Sequence, residues 1–125
     1  MAAPNIVSVS SIYGKTAYDA DVATSASVTL GNPASSNKLY KINTIIAANI
    51  DGANDADITV YVSTAGSATG LFYLAKTITV PADSTLVIIS KDTSFYMEED
   101  RSIRALASAA GDISLMISYD ELDDA

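Results

Sequence analysis

The stretch from 73 to 90, YLAKTITVPADSTLVIIS, most constrains the fold of this chain. It holds two runs of strand-forming residues on either side of Pro81. Because proline lacks an amide proton and has a fixed φ, Pro81 suits a corner between strands and not the interior of a sheet. Asp83 and Ser84 bond readily to nearby backbone and so close turns. The stretch therefore predicts two β-strands folded back on each other.

The second of these runs, Leu86-Val87-Ile88-Ile89, is apolar at every position. Successive side chains of a strand point to opposite faces, so this run would be apolar on both faces. Strands that are buried on both sides have such a composition. We therefore predict that this run lies in the middle of a sheet.

Other segments alternate apolar and polar residues or are rich in β-branched residues, which favours strands. The predicted strands are 5–13, 25–30, 39–50, 57–63, 94–97, 101–107 and 112–119. Gly14-Lys15 is expected to break the first strand, 15–22 to be a loop or a second short strand, and 64–70 to be a flexible connection. We expect hairpins between 39–50 and 57–63, and between 101–107 and 112–119. About eight strands in total predict an all-β, single-domain antiparallel β-sandwich of jelly-roll or immunoglobulin-like type.

The chain of 125 residues is long enough for one domain spanning 1–125, with an N-terminal arm at 1–4. The acidic tail at 120–125 is expected to fray. Seven basic and fifteen acidic residues give a net charge of −8, which disfavours binding to nucleic acids and anionic membranes. The chain lacks the basic and apolar regions of a signal peptide and any apolar run of about 20 residues. We expect neither a signal peptide nor a transmembrane segment.

Catalytic chemistry has few candidates in this sequence. His is absent, which removes the commonest general base and the commonest transition-metal ligand. Cys is also absent, which excludes disulfides and thiolate metal sites. Three adjacent acids, Glu98-Glu99-Asp100, are typical of a solvated turn and not of two carboxyls placed across a cleft. We predict no catalytic residues, and hence a protein that is not an enzyme.

One loop carries clustered side-chain oxygens, which Ca²⁺ prefers as ligands. Its weak metal candidates are Asp51, Asn54, Asp55 and Asp57. Ala53 falls where a calcium loop needs an oxygen ligand, and Asp, Asn and Gly are also common turn residues. The pattern therefore favours a solvated turn, and we predict no metal and no cofactor.

Tyrosine is the abundant aromatic residue, with seven copies. Its ring buries a large area at low entropic cost and keeps a polar hydroxyl, so tyrosine is common in protein interfaces. It also suits strands with one half-wet face. The interface candidates are Tyr61, Tyr73 and Tyr40.

Three stretches resemble a group of small virion structural proteins of tailed bacteriophages, including phages of marine cyanobacteria. They are KLYKINTIIAANIDG at 38–52, DITVYV at 57–62 and YLAKTITVPADSTLVIISKDTSFYMEED at 73–100. With the start MAAPNIV, the resemblance covers well over half of the chain. The acidic turn of that group carries a glycine, as in E-E-G-D. This chain has Glu98-Glu99-Asp100-Arg101 there, without the glycine.

The resemblance implies a structural role in the virion and no catalytic residues. The expected function is a capsid decoration, or cement, protein that binds the lattice of the major capsid protein or other virion proteins. We expect a homo-oligomer, with a trimer as one form, made in the host cytoplasm and located in the virion. Two alternatives stay open: a neck, tail or fibre component of the virion, and a carbohydrate-binding β-sandwich module.

Overall fold

A computed structural model describes residues 7–123. Within this range, the helical content is one short 3-10 turn at Lys91–Thr93, and no helix is long and apolar enough to span a bilayer. The strands are β1 (Ser11–Asp19), β2 (Ser27–Asn32), β3 (Lys38–Asn49), β4 (Ala56–Thr64), β5 (Gly70–Val80), β6 (Thr85–Ile89), β7 (Phe95–Met97), β8 (Arg101–Ala107) and β9 (Ile113–Asp123). The predicted all-β sandwich is confirmed, with nine described strands where about eight were expected.

The strands form two sheets in which every pairing is antiparallel. Sheet A has the order β1-β9-β3-β6, with β7 also paired to β3. Sheet B has the order β2-β8-β4-β5. Apart from the additional β7, these two orders are those of an eight-stranded jelly roll. Of the two sandwich types expected from the sequence, the chain adopts the jelly roll.

The predicted pairings of consecutive strands are wrong, although the strands themselves were located. The partners expected for β3, β5 and β8 (β4, β6 and β9, respectively) each lie in the opposite sheet. Their connections of four to six residues therefore cross the roughly 10 Å between sheets instead of the roughly 4.8 Å between paired strands. A loop of four to six residues can span either distance. Neither its length nor the side-chain alternation of the strands therefore distinguishes a hairpin from a corner, that is, a connection between sheets. Pro81 does lie in such a corner, where the amide of Ser84 donates to the Pro81 carbonyl at 3.0 Å.

Strands β6 and β7 follow each other along the same edge of β3. β6 pairs with Ile45–Ala48 and β7 with Tyr40–Ile42, and the turn at Lys91–Thr93 interrupts them. The central position predicted for Leu86–Ile89 is therefore wrong, because β6 lies at the edge of sheet A. Val87 is 56% exposed, so one apolar face of this strand is turned to solvent.

The core lies between the sheets and is built from alternate residues of their strands. In β9, Ile113, Leu115 and Ile117 are buried, while Met116 between them points away from the core. The other strands contribute further fully buried side chains, among them Ile42, Ile45, Ile58, Val60 and Ile103. Each such side chain stabilises the fold by about 1.5–3 kcal/mol through burial.

Two buried asparagines, which were not predicted from the sequence, link the sheets. Asn32 in β2 donates to the carbonyls of Lys38 (2.9 Å) and Met97 (3.3 Å), which belong to sheet A. Asn49 in β3 donates to the carbonyl of Val80 in sheet B at 2.9 Å. A buried amide satisfies backbone carbonyls that would otherwise lack partners at the strand ends.

Strand β1 differs from its prediction, because residues 7–10, which were expected in the strand, precede it. It continues through Gly14-Lys15 to Asp19, because it pairs with β9 over its whole length and this pairing outweighs the local turn signal. The acidic tail is also shorter than predicted, since residues 120–123 belong to β9. The arm at 1–4, residues 5–6 of the first predicted strand and residues 124–125 lie outside the described residues.

Candidate protein-docking surface

In the acidic loop between β3 and β4, the Asp51 side chain accepts hydrogen bonds from residues of the same loop. The Asp51 carboxylate accepts the amide of Ala53 at 2.8 Å and the side-chain amide of Asn54 at 3.2 Å. These bonds lower the pKa of Asp51. Local desolvation, and then the nearby charge of Asp51, raise the pKa of Asp112. The pair lies at the loop surface, where water screens it.

The two remaining calcium candidates turn to other partners. Asp55 accepts the amide of Ala82 at 3.0 Å, and Asp57 accepts the hydroxyl of Thr79 at 2.8 Å. In the part of the chain from 7 to 123, no three acidic, His or Cys side chains are grouped so that they could hold a metal. The loop therefore gives no support to the carbohydrate-binding alternative that would depend on calcium.

The acidic turn between β7 and β8 is confirmed as a turn. Asp100 has φ +60°, the left-handed region that glycine adopts most readily and that Asp tolerates. The amide of Asn37 donates to Glu99 at 3.3 Å. This turn therefore ties two loops together at one end of the sandwich.

Tyr61 and Tyr73 pair across β4 and β5, with ring centroids 5.0 Å apart. Tyr61 is only 4% exposed, and its hydroxyl donates to the carbonyl of Ala68 at 2.9 Å. It therefore anchors the loop at 65–69 and is not available to a partner, contrary to the prediction. Tyr73 is exposed, as an interface residue would be.

Tyr40, the third interface candidate, is buried on the inner face of sheet A. Its ring lies 5.0 Å from that of Tyr119. The buried carboxylate of Glu121 lies beside it and pairs with Lys15 (3.3 Å) and Lys38 (3.6 Å). Burial, followed by the charge of Glu121, raises the pKa of Tyr40 to about 12. Tyr40 belongs to an internal polar cluster, so its assignment to an interface is wrong.

Four residues in register cross the outer face of sheet B and are called the sheet B row: Tyr73, Tyr61, Arg104 and Val28. Arg104 donates through Nε to the hydroxyl of Ser63 at 3.0 Å and through Nη2 to the carbonyl of Ala65 at 3.3 Å. With the bond from Tyr61 to Ala68, these contacts hold the loop at 65–69 over the centre of the sheet B row.

An apolar cleft opens where the edge of β5 meets the edge formed by β6 and β7. We call it the side cleft; its volume is about 540 Å³. Ile89 and Met97, which belong to the core, form part of its lining. Phe72 and Leu71 also line it and are 68% and 55% exposed. Apolar side chains grouped in this way on a surface make the side cleft a candidate docking site.

Leu71 and Phe72 were not predicted as surface residues, because the strand was expected to begin at Tyr73. The sequence pattern that could have predicted them is the run Leu71-Phe72-Tyr73-Leu74, which places large apolar residues on both faces of a strand. In an edge strand beside an open cleft, such a run leaves apolar groups exposed.

Comparisons with known proteins bear on the fold. No family model and no curated protein matches the sequence. A solved structure, described under the heading "Bacillus endospore appendages form a novel family of disulfide-linked pili", is similar with a TM-score of 0.51 and 17% identity. The match covers 91% of this chain and 89% of that one. At this identity the likeness shows a shared all-β sandwich fold.

Proposed function

We propose that this chain is a structural protein of a phage virion, a capsid decoration protein that binds the lattice of the major capsid protein. The observation that carries the proposal is the side cleft, whose exposed Leu71 and Phe72 offer an apolar contact to a protein partner. The stretches that resemble small virion proteins, at 38–52, 57–62 and 73–100, support the choice of a capsid protein as that partner.

A decoration protein does not need a large interface at each site. A cleft of about 540 Å³ with two projecting apolar side chains fits one small contact with a capsid subunit. When one copy or oligomer touches several neighbouring subunits, the weak contacts add up through effective concentration. Contacts below about 1,200 Å² then suffice for stable attachment.

The likeness to a pilus subunit supports a structural role and favours a second candidate, a neck, tail or fibre component. The protein of that structure forms disulfide-linked pili. This chain has no cysteine, so its own assembly would depend on noncovalent contacts. The exposed apolar surfaces supply such contacts.

The copy number of the chain in purified particles, measured by quantitative mass spectrometry against the major capsid protein, tests the proposal. Hundreds of copies per particle support decoration. A dozen copies that purify with tails would replace it with the second candidate, and absence from particles would overturn both.

The docking site is tested separately, by adding purified chain to capsids that lack it. Phe72→Asp places a charge at the mouth of the side cleft and should abolish binding, because an unpaired charge is not easily buried. Val28→Asp is the matched control, since Val28 is a similarly exposed strand residue far from the cleft. Equal binding of the two variants would show that the side cleft is not the contact.

A further inference from the structure

The outer face of sheet A carries a row of apolar side chains that spans four of its five strands. Tyr18 of β1 is in register with Met116 of β9, Met116 with Ile46 of β3, and Ile46 with Val87 of β6. We call these four residues the sheet A row. The chain neighbours of Met116 and Ile46, such as Leu115, are buried in the core, so the row points away from it.

The sheet A row is open to solvent at both ends and half-buried in the middle. Tyr18 is 75% exposed and Val87 56%, whereas the outer faces of antiparallel sheets are usually polar. The flanking rows carry hydroxyl and methyl groups and no charge: Thr16, Ser118 and Thr44 on one side, and Ser114, Ala48 and Thr85 on the other. A shallow depression of about 540 Å³ lies over this area, with Asp19 as a charged residue in its lining.

The charge distribution indicates the occupant. The chain has a net charge of −8, so two copies repel each other unless they meet through an uncharged surface. A cationic partner would be bound through carboxylates, which the sheet A row and its flanking rows do not offer. We propose that a second copy of this chain packs on the outer face of sheet A, with the two sheets face to face.

The sheet A row is complementary to itself in such a dimer. A two-fold axis parallel to the strands reverses the order of the row in the second copy. Tyr18 of one copy then lies over Val87 of the other, and Met116 lies over Ile46. A large side chain thus faces a smaller one at both ends, as interdigitated sheet packing requires.

The size of the face sets the strength of the contact. Four strands about 4.8 Å apart and three rows about 7 Å apart cover roughly 400 Å² per copy. The total of roughly 800 Å² is below the 1,200 Å² or so of a stable interface. The dimer is therefore weak in solution and strengthens where copies are concentrated, as on a particle surface. This inference rests on the proposed structural role and names the surface by which copies associate.

Sedimentation equilibrium of the purified chain at concentrations up to about 1 mM tests it, since an interface of this size binds weakly. The average mass should rise from one copy toward two. Ile46→Lys should weaken association by at least about tenfold, because it buries an unpaired charge. Val28→Lys, in the sheet B row, should leave association unchanged. A chain that stays monomeric throughout, or equal effects of the two variants, would overturn the inference.

A charge-complementation experiment tests the proposed geometry. Ile46→Lys and Met116→Glu should each be monomeric, and their mixture should associate, because the introduced ammonium of one variant would face the introduced carboxylate of the other across the two-fold axis. Urea unfolding of each variant establishes that it is folded. Association of the wild type that is lost on Phe72→Lys and kept on Ile46→Lys would assign the contact to the side cleft and overturn the inference. Loss of capsid binding with intact dimers would count against the proposed function and not against this inference.

Discussion

Each sheet carries a row of four side chains on its outer face, but the two rows differ in how deeply their side chains are buried. In the sheet B row, Tyr61 is almost fully buried under the loop at 65–69. In the sheet A row, Met116 and Ile46 on the two inner strands are only half-buried, and Tyr18 on the edge strand projects into solvent. Both rows cross four antiparallel strands in register, so strand pairing does not explain the difference. The difference lies in the polar contacts that hold a loop over one of them.

Those contacts come from a small network on β4 and β8, the two inner strands of sheet B. Ser63 and Ser102 share a hydrogen bond of 2.8 Å, and Arg104 reaches from this pair to the loop. A loop fixed in this way turns an outer face into additional interior, which stabilises the monomer. A face without such a cover contributes little to the monomer and is available to another molecule. The covered face of sheet B therefore serves folding, and the open face of sheet A is the one that we propose for association.

The largest effect should follow from removing the ring that anchors the loop. Tyr61→Ala should lower the free energy of unfolding by about 3 kcal/mol, since a buried aromatic ring and its hydroxyl contact are both lost. Tyr18→Ala removes an equally large ring from the sheet A row and should cost less than about 0.5 kcal/mol. Urea denaturation of both variants measures the two values. Similar losses for both would mean that the two faces are not different in kind.

A smaller effect is expected from the polar network itself. Ser63→Ala should cost about 1–2 kcal/mol, because the buried hydroxyl of Ser102 and the Nε of Arg104 each lose a partner. Ser118→Ala, on the outer face of sheet A, is the matched control and should be nearly neutral. Thermal unfolding of the two variants gives the comparison. A neutral Ser63→Ala would show that the loop is held by the tyrosine and not by the network.

The core between the two sheets can be tested at alkaline pH, through the titration of Tyr40. The pKa of Tyr40 is raised to about 12 in the folded chain from an ordinary value near 10. The folded state therefore holds the proton more tightly, and this stabilisation is complete below pH 10 and lost as the pH rises toward 12. The urea midpoint should fall over that range, and less steeply in Tyr40→Phe, which has no hydroxyl to titrate. Parallel declines of the two proteins would exclude Tyr40 as the linked group.

The sequence predicted strands far better than their partners. Apolar alternation is a local property, and it placed β3, β4 and β8 within a residue or two of their observed bounds. The connection from Val80 to Thr85 has the residues of a turn, and such residues serve a hairpin and a corner between sheets equally well. Packing across the core decides which sheet the next strand joins. This packing involves residues far apart in the chain, so no short segment predicts it.

The candidate surfaces were predicted less well for a related reason. A tyrosine in a strand has the same sequence signature whether a loop covers it, as at Tyr61, or not, as at Tyr73. The more informative signal was an apparent error. Leu86–Ile89 is apolar on both faces, which is typical of a central strand, yet β6 is at an edge. A local pattern that disagrees with its place in the fold points to a second role for those residues, here exposure of Val87 in the sheet A row.

The smallest effect on folding should come from making the sheet A row polar. Ile46→Thr and Val87→Thr keep β-branched side chains, which suit strands, and replace an exposed or half-exposed methyl-bearing group by a hydroxyl. Each should change the free energy of unfolding by less than about 0.5 kcal/mol, and the double variant should still lose measurable self-association. Equilibrium unfolding and sedimentation of the same preparations give both quantities. A double variant that loses more than about 1 kcal/mol of stability would place the row among the residues that hold the monomer together. The outer face of sheet A would then serve folding, as the outer face of sheet B does.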